Sequence, residues 1–334
     1  ALGGLVLASY PSYQTLQILY GYWGFTSVFL FWGAMIKATR LWGGDNNQGK
    51  AFGFLDGGRG IVAASMGSIG VFVFTIVLTN DIESASVLER QEAFRYVILL
   101  SSFMVAFIGL LVLIFLRNME DKNTNFELPL NTLTNIKGVL KNESIWLLML
   151  IIMCAYVGYK VTDIYSLYAS EVMLYDQIEA AEVGALQLYL RPIVCIAIGL
   201  LADRTKNMFW IIFGFVTMLI GALIFSFGII KPDMNFIFFL SLVILAVGTY
   251  SIRALYFAVL KEANVAFALT GTAVGIISVV GYSPDIFAGP IMGYLLDENP
   301  GIIGHQYVYF MLVIFSILGL IASIRFARLT KPSG

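Results

Sequence analysis

Nine runs of apolar residues, 13–38, 51–79, 96–116, 145–168, 185–202, 208–229, 236–260, 266–295 and 307–324, constrain this chain more than anything else in it. Each is near the length a helix needs to cross a bilayer, about 20 residues at 1.5 Å per residue. Backbone inside hydrocarbon must satisfy its own hydrogen bonds, which leaves helices or closed barrels. No segment alternates polar and apolar residues over the ten or so positions of a barrel strand, so the expected fold class is an all-α polytopic membrane protein. Composition agrees: 59% of residues are hydrophobic and 12% charged, against roughly 45–50% and 25% in a soluble domain.

The near-neutral balance, a formal charge of −1, argues against a nucleic-acid partner, and the expected partners are membrane lipid and a small-molecule solute. With His305 the sole histidine and neither Cys154 nor Cys195 in a CxxC pair, no metal site or cofactor is expected. No nucleophile elbow, phosphate loop or His/Asp/Glu constellation points to an enzyme. No obligatory protein partner is inferred.

Basic residues set the orientation. With the C-terminal tail in the cytoplasm, that side carries thirteen lysines and arginines, including Lys37, Lys50, Lys261 and Arg325; the other side carries Arg90, Arg95 and Lys231. The remaining four, Arg59, Lys160, Arg191 and Arg253, fall inside spans.

The polar stretch 118–144 reads as a cytoplasmic linker, within which "LNTLTNIKGVL" has the spacing of an interfacial helix. It separates an incomplete N-terminal bundle, 1–117, from a six-helix bundle, 145–334. The opening "ALGGLVLASY" is too short to span and reads as the end of a severed third helix. A weak internal repeat, Gly24–Lys37 against Gly248–Lys261 and "GKAFG" against "GTAVG", fits two parallel halves of six helices, three helices being missing from the first.

"GLLADRTKN", Gly199–Asn207, follows the fifth complete span. It resembles the G-x-L-A-D-R-x-G-R/K loop of the major facilitator superfamily, with Lys206 where that pattern has glycine and Asn207 where it has a base. The resemblance implies a twelve-helix transporter fold and a conformational latch at Gly199, Asp203 and Arg204. "QGKAFGFLDGGRG" and "TGTAVGIISVVGYSPDIFAGPIMGYLLD" look like the fifth and eleventh helices of bacterial permeases related to organophosphate/phosphate antiporters and nitrate/nitrite carriers.

A charge centred in lipid costs about 2.5–3.5 kcal/mol on insertion scales, so the in-span charges are expected to face an interior or a water-filled cavity. Arg253 stands two turns from Lys261, with Tyr250 and Phe257 a turn to either side, a setting suited to an anionic solute or to an acid on a neighbouring helix. Tyr156, Lys160 and Asp163 share one helical stripe; the last two either neutralise one another or exchange partners with solute or proton. Arg191, before Pro192, lines a cavity mouth or snorkels outward. Asp56 and Arg59, at i and i+3, read as a self-satisfied pair, and Asp285 lies where Pro284 and Pro290 bend a span. Four in-span bases against three acids favour a small polar, anionic solute, moved by proton symport or anion exchange in the cytoplasmic (inner) membrane. A ligand sensor that does not transport, or a transporter of neutral or cationic solutes, stays open as an alternative.

Overall fold

A computed structural model describes residues 1–77, 86–115 and 132–330, and these are helical without a strand among them. Fourteen α-helices follow in order: α1 (Leu2–Ala8), α2 (Tyr13–Phe25), α3 (Gly33–Gly43), α4 (Gln48–Val77), α5 (Val87–Phe115), α6 (Thr132–Leu140), α7 (Glu143–Val161), α8 (Tyr165–Glu171), α9 (Gln177–Asp203), α10 (Asn207–Ser226), α11 (Asn235–Leu255), α12 (Thr270–Gly281), α13 (Pro284–Glu298) and α14 (Ile302–Leu329). Of the expected 118–144 linker, 118–131 lies outside the described residues, as do the ends of two expected spans, 78–79 and 116, and Lys331.

Eight stretches among the described residues are long and apolar enough to cross a membrane. Eight of the nine expected runs correspond to them. The other, 13–38, is also helical but in three pieces, with a π-helical stretch at Thr26–Trp32 between α2 and α3.

Local sequence explains where helices begin and break. Asn142 accepts from the Ser144 N–H at the start of α7. Asp176 accepts from Ile178 and Glu179 while Glu179 returns to the Asp176 N–H, a full capping box for α9. A 3₁₀ turn, Thr162–Ile164, separates α7 from α8. The span beginning at Phe267 breaks at Tyr282 and Ser283, where Pro284 opens α13; proline there removes a backbone donor and restricts the residue before it.

Two compact units are present. Among the described residues, the first comprises 1–30, 62–77 and 86–115. In it Gly4 packs on Ser102, Gly3 on Trp23, and Arg95 Nε donates to the Ala8 carbonyl at 3.0 Å.

The second unit comprises 31–61 and 132–330 of the described residues. Its core is aromatic and aliphatic, with Phe215, Phe225, Phe238 and Tyr309 fully buried. Lipid offers no hydrophobic drive between helices, so close approach at small residues does the packing. A Cβ on Gly248 would lie 2.6 Å from the Met218 nitrogen, locking α11 to α10, and one on Gly33 would lie 3.2 Å from the Gly271 carbonyl, joining α3 to α12. The crossing that positions the site is α4 on α9: a Cβ on Gly199 would meet the Gly49 carbonyl at 2.5 Å, and one on Gly53 the Cys195 carbonyl at 2.6 Å.

Candidate functional site

Asp56 sits on α4 one turn beyond that crossing, its side chain only 7% exposed. Three arginines from three helices converge on it. Arg59, a turn further along α4, donates from Nη1 to Oδ1 at 3.1 Å. Arg191 of α9 donates from Nη2 to Oδ1 at 2.8 Å and from Nε to Oδ2 at 3.3 Å. Arg253 of α11 brings Nε to 3.3 Å from Oδ2, an ion pair without hydrogen-bond alignment. The Cys195 thiol donates to Oδ2 at 3.4 Å.

Two expectations change here. The Asp56–Arg59 pair forms but is not self-contained, because its carboxylate is shared with Arg191 and Arg253. Arg191 neither snorkels outward nor stands free at a cavity mouth: it is buried against Asp56. The reason is the glycine seam. Gly60 lets the Arg191 stem cross α4 with its Cγ 3.2 Å from where a Cβ would stand, and Gly57 makes the matching space beside Ile196.

Arg253 is buried, and its Nη1 has no partner. The rings over its guanidinium come from α7, Tyr159 at 3.8 Å and Tyr156 at 5.5 Å from ring centre to carbon. Tyr250 reaches instead to Gln187, and Phe257 packs on Trp32. Trp32 also lies under Arg59, at 4.7 Å. Tyr156, Tyr282 and Tyr256 complete the aromatic wall, the last two with hydroxyls 3.2 Å apart. Tyr159 was not singled out from the sequence, where nothing marks it among 17 tyrosines, and Trp32 reads there as packing and interfacial anchoring.

Beside this cluster Lys160 is 3.0 Å from Asp163, the expected partner, and 3.7 Å from Asp285 of α13. The Tyr156 hydroxyl donates to Asp285 at 3.1 Å. Tyr156 thus touches both groups, with its ring toward Arg253 and its hydroxyl on Asp285.

At the end of α9, Asp203 accepts from the Gly49 N–H at 2.7 Å and the Lys50 N–H at 2.8 Å. A carboxylate on the first amides of α4 meets the positive end of that helix. Gly199 makes the approach possible; Arg204 is exposed, and its backbone N–H closes the last turn of α9. Arg40 ties the same region from α3, donating to Thr270 at 2.7 Å and to the Val265 carbonyl at 2.8 Å.

A pocket of about 640 Å³ lies here, lined by Asp45, Asp203, Lys206, Asn207, Lys261 and Glu262 among others. Burial pushes the Glu262 carboxyl above its usual range, opposed by the Asn207 amide that donates to it and by nearby Lys206. Lys261 holds the exposed Asp45 carboxyl below its usual range. Among the described residues no group of His, Cys, Asp and Glu could hold a metal ion.

Residues 1–288 match the family model described as Major Facilitator Superfamily. The chain is 24% identical to inner membrane protein YihN of Escherichia coli K12, over 97% of this chain and 76% of that protein. It is 24% identical to inner membrane protein YqcE of the same organism, over 92% and 72%, and 23% identical to the uncharacterized protein MG294 homolog of Mycoplasma pneumoniae, over 91% and 68%. The chain belongs to the major facilitator superfamily, a family of multi-pass membrane transporters.

Proposed function

We propose that this member of the major facilitator superfamily is a secondary active transporter that moves a small polar anion by alternating access between two six-helix halves. In this reading the first half ends near residue 117, the linker 118–144 is cytoplasmic, and the second half runs from 145 with its tail in the cytoplasm. That YihN and YqcE are inner membrane proteins supports the same location for this chain.

One observation carries the substrate class. Three guanidiniums share the Asp56 carboxylate, which leaves two positive charges in excess, and the buried Nη1 of Arg253 has no acceptor. Charge-assisted bonds to an ionised oxygen are the strong ones, and the guanidinium fork suits carboxylate and phosphate-type groups. Tyr156 and Tyr159 face the same guanidinium and would bound the solute on one side. The likeness of two helices to organophosphate/phosphate and nitrate/nitrite carriers points the same way.

Lys160, between Asp163 and Asp285, is where a proton or the solute would exchange partners; Asp163 serves proton symport, whereas anion exchange needs no titrating acid. Asp203 on the first turn of α4, with Gly199 beneath it, supports the latch role that the loop pattern implies.

The test is a thermal-stability screen of the purified protein with phosphate esters, carboxylates and nitrate, alongside neutral and cationic solutes. A ligand that binds only the folded state adds about 2.7 kcal/mol at one hundred times its Kd. One anion class should stabilise wild type and fail to stabilise Arg253→Ala, with Arg253→Lys retaining the fold as a control. Equal stabilisation of wild type and Arg253→Ala by neutral or cationic solutes overturns the reading.

A further inference from the structure

We infer that His305 and Glu171 form a proton-binding site, separate from the Asp56 cluster, with Glu171 as its water-facing member. His305, the one histidine of the chain, lies in the first turn of α14. Its Nε2 is 3.0 Å from Glu171 Oε2 at the end of α8. The imidazole is 0% exposed and the carboxylate-bearing side chain 41% exposed, so one partner is dry and the other open.

The dry side is incomplete. His305 Nδ1 is buried without a partner, and so are the hydroxyls of Tyr168 and Tyr309. All three belong to one ring cluster: Tyr168 meets the imidazole at 5.1 Å and the Tyr309 ring at 5.9 Å, and Phe225 stacks on Tyr309 at 4.4 Å. Three unsatisfied polar groups on touching rings are costly unless something is taken up there, because an unmet buried donor or acceptor costs about 1–3 kcal/mol. The titratable groups against the ring are Glu171 and Tyr168, both of α8; Tyr309, on the same helix as His305, packs on Tyr168, and α10 and α11 add Phe225 and Phe238, which carry no charge.

A neutral imidazole has one N–H and one bare nitrogen. The carboxylate at Nε2 assigns the N–H there, leaving the Nδ1 lone pair free. A proton from water adds the second N–H at Nδ1, on the side of the ring away from Glu171; no other bond breaks, and the pair passes from a net charge of −1 to zero. Burial of the ring opposes its new charge and the adjacent carboxylate favours it, and the Nε2–H···Oε2 bond becomes doubly charge-assisted. Because α8 follows the 3₁₀ turn that carries Asp163, proton uptake tightens the hold of this outer piece of the span on α14, at the end of the helices opposite Asp203.

A single histidine makes the test direct. Tag-free protein labelled with ¹⁵N and ¹³C in histidine gives one imidazole signal set, followed by NMR across pH. The expected result is one titration step between pH about 5 and 8, displaced toward lower pH in Glu171→Gln. An imidazole that keeps one protonation state from pH 5 to 8 in wild type overturns the proposal. So does a step that Glu171→Gln leaves unmoved. The wild-type titration needs no variant to fold, and the Asp56 cluster plays no part in either readout.

Discussion

Arg191 and Asp56, 135 positions apart in sequence, meet inside the second unit through a forked contact, Nη2 to Oδ1 at 2.8 Å and Nε to Oδ2 at 3.3 Å. Both side chains are less than a tenth exposed. Two parallel donors on two acceptors fix the guanidinium plane as well as its distance. With that plane set, Arg253 is left as the cluster member whose Nη1 lacks an acceptor.

Asp56→Ala removes the one carboxylate from three arginines. Breaking a buried pair by deleting one partner costs about 3–5 kcal/mol, because the remaining charge is uncompensated. Thermal unfolding of the purified protein should register a loss of that order; a melting temperature within error of wild type would show that the cluster is not what holds α4, α9 and α11 together.

Gly199→Ala places a methyl 2.5 Å from the Gly49 carbonyl and 2.9 Å from the Gly53 Cα, backbone on which no side chain can rotate away. Overpacking of this kind costs about 1–3 kcal/mol. Gly271→Ala is the contrast, since its added methyl meets nothing within 4 Å and helix propensity favours alanine by up to about 1 kcal/mol. The first variant should melt lower than wild type and the second no lower; the reverse order would contradict the glycine seam.

Asp203→Ala strips the acceptor from the Gly49 and Lys50 amides. Loss of an N-terminal acceptor costs about 1 kcal/mol, a several-fold change in local opening. Hydrogen exchange at residues 49 and 50 should speed up by that factor while amides in the middle of α10 stay as they are. Unchanged exchange at 49 and 50 would remove Asp203 from the latch.

Glu262 carries a pH dependence of definite sign. Its carboxyl is raised in the fold by burial, so between the ordinary carboxylate range and that raised value the folded state holds more protons than the unfolded one. Stability then falls as pH rises through this window. Melting temperatures from pH 4 to 7 should drop more steeply for wild type than for Glu262→Gln, and parallel curves would refute the assignment.

Membrane class and helix type were legible in the chain because hydrocarbon forbids unsatisfied backbone and demands runs of about 20 apolar residues. The Lys160–Asp163 and Asp56–Arg59 contacts were legible too, since a helix brings residues three and four apart to one face whatever surrounds it. Asp203 was legible through its loop pattern, though its partners, two backbone amides of α4, carry no side-chain signal.

The tertiary structure alone decided that Asp56, Arg59, Arg191 and Arg253 are one cluster, that Tyr159 rather than Tyr250 faces Arg253, and that the lone histidine has a carboxylate partner. Periodicity within a helix says which residues share a face but not which face meets which neighbour. That choice is made where backbones can touch, at Gly49, Gly53 and Gly199, and a glycine that permits close approach looks in sequence the same as one, like Gly271, whose added methyl would meet open space.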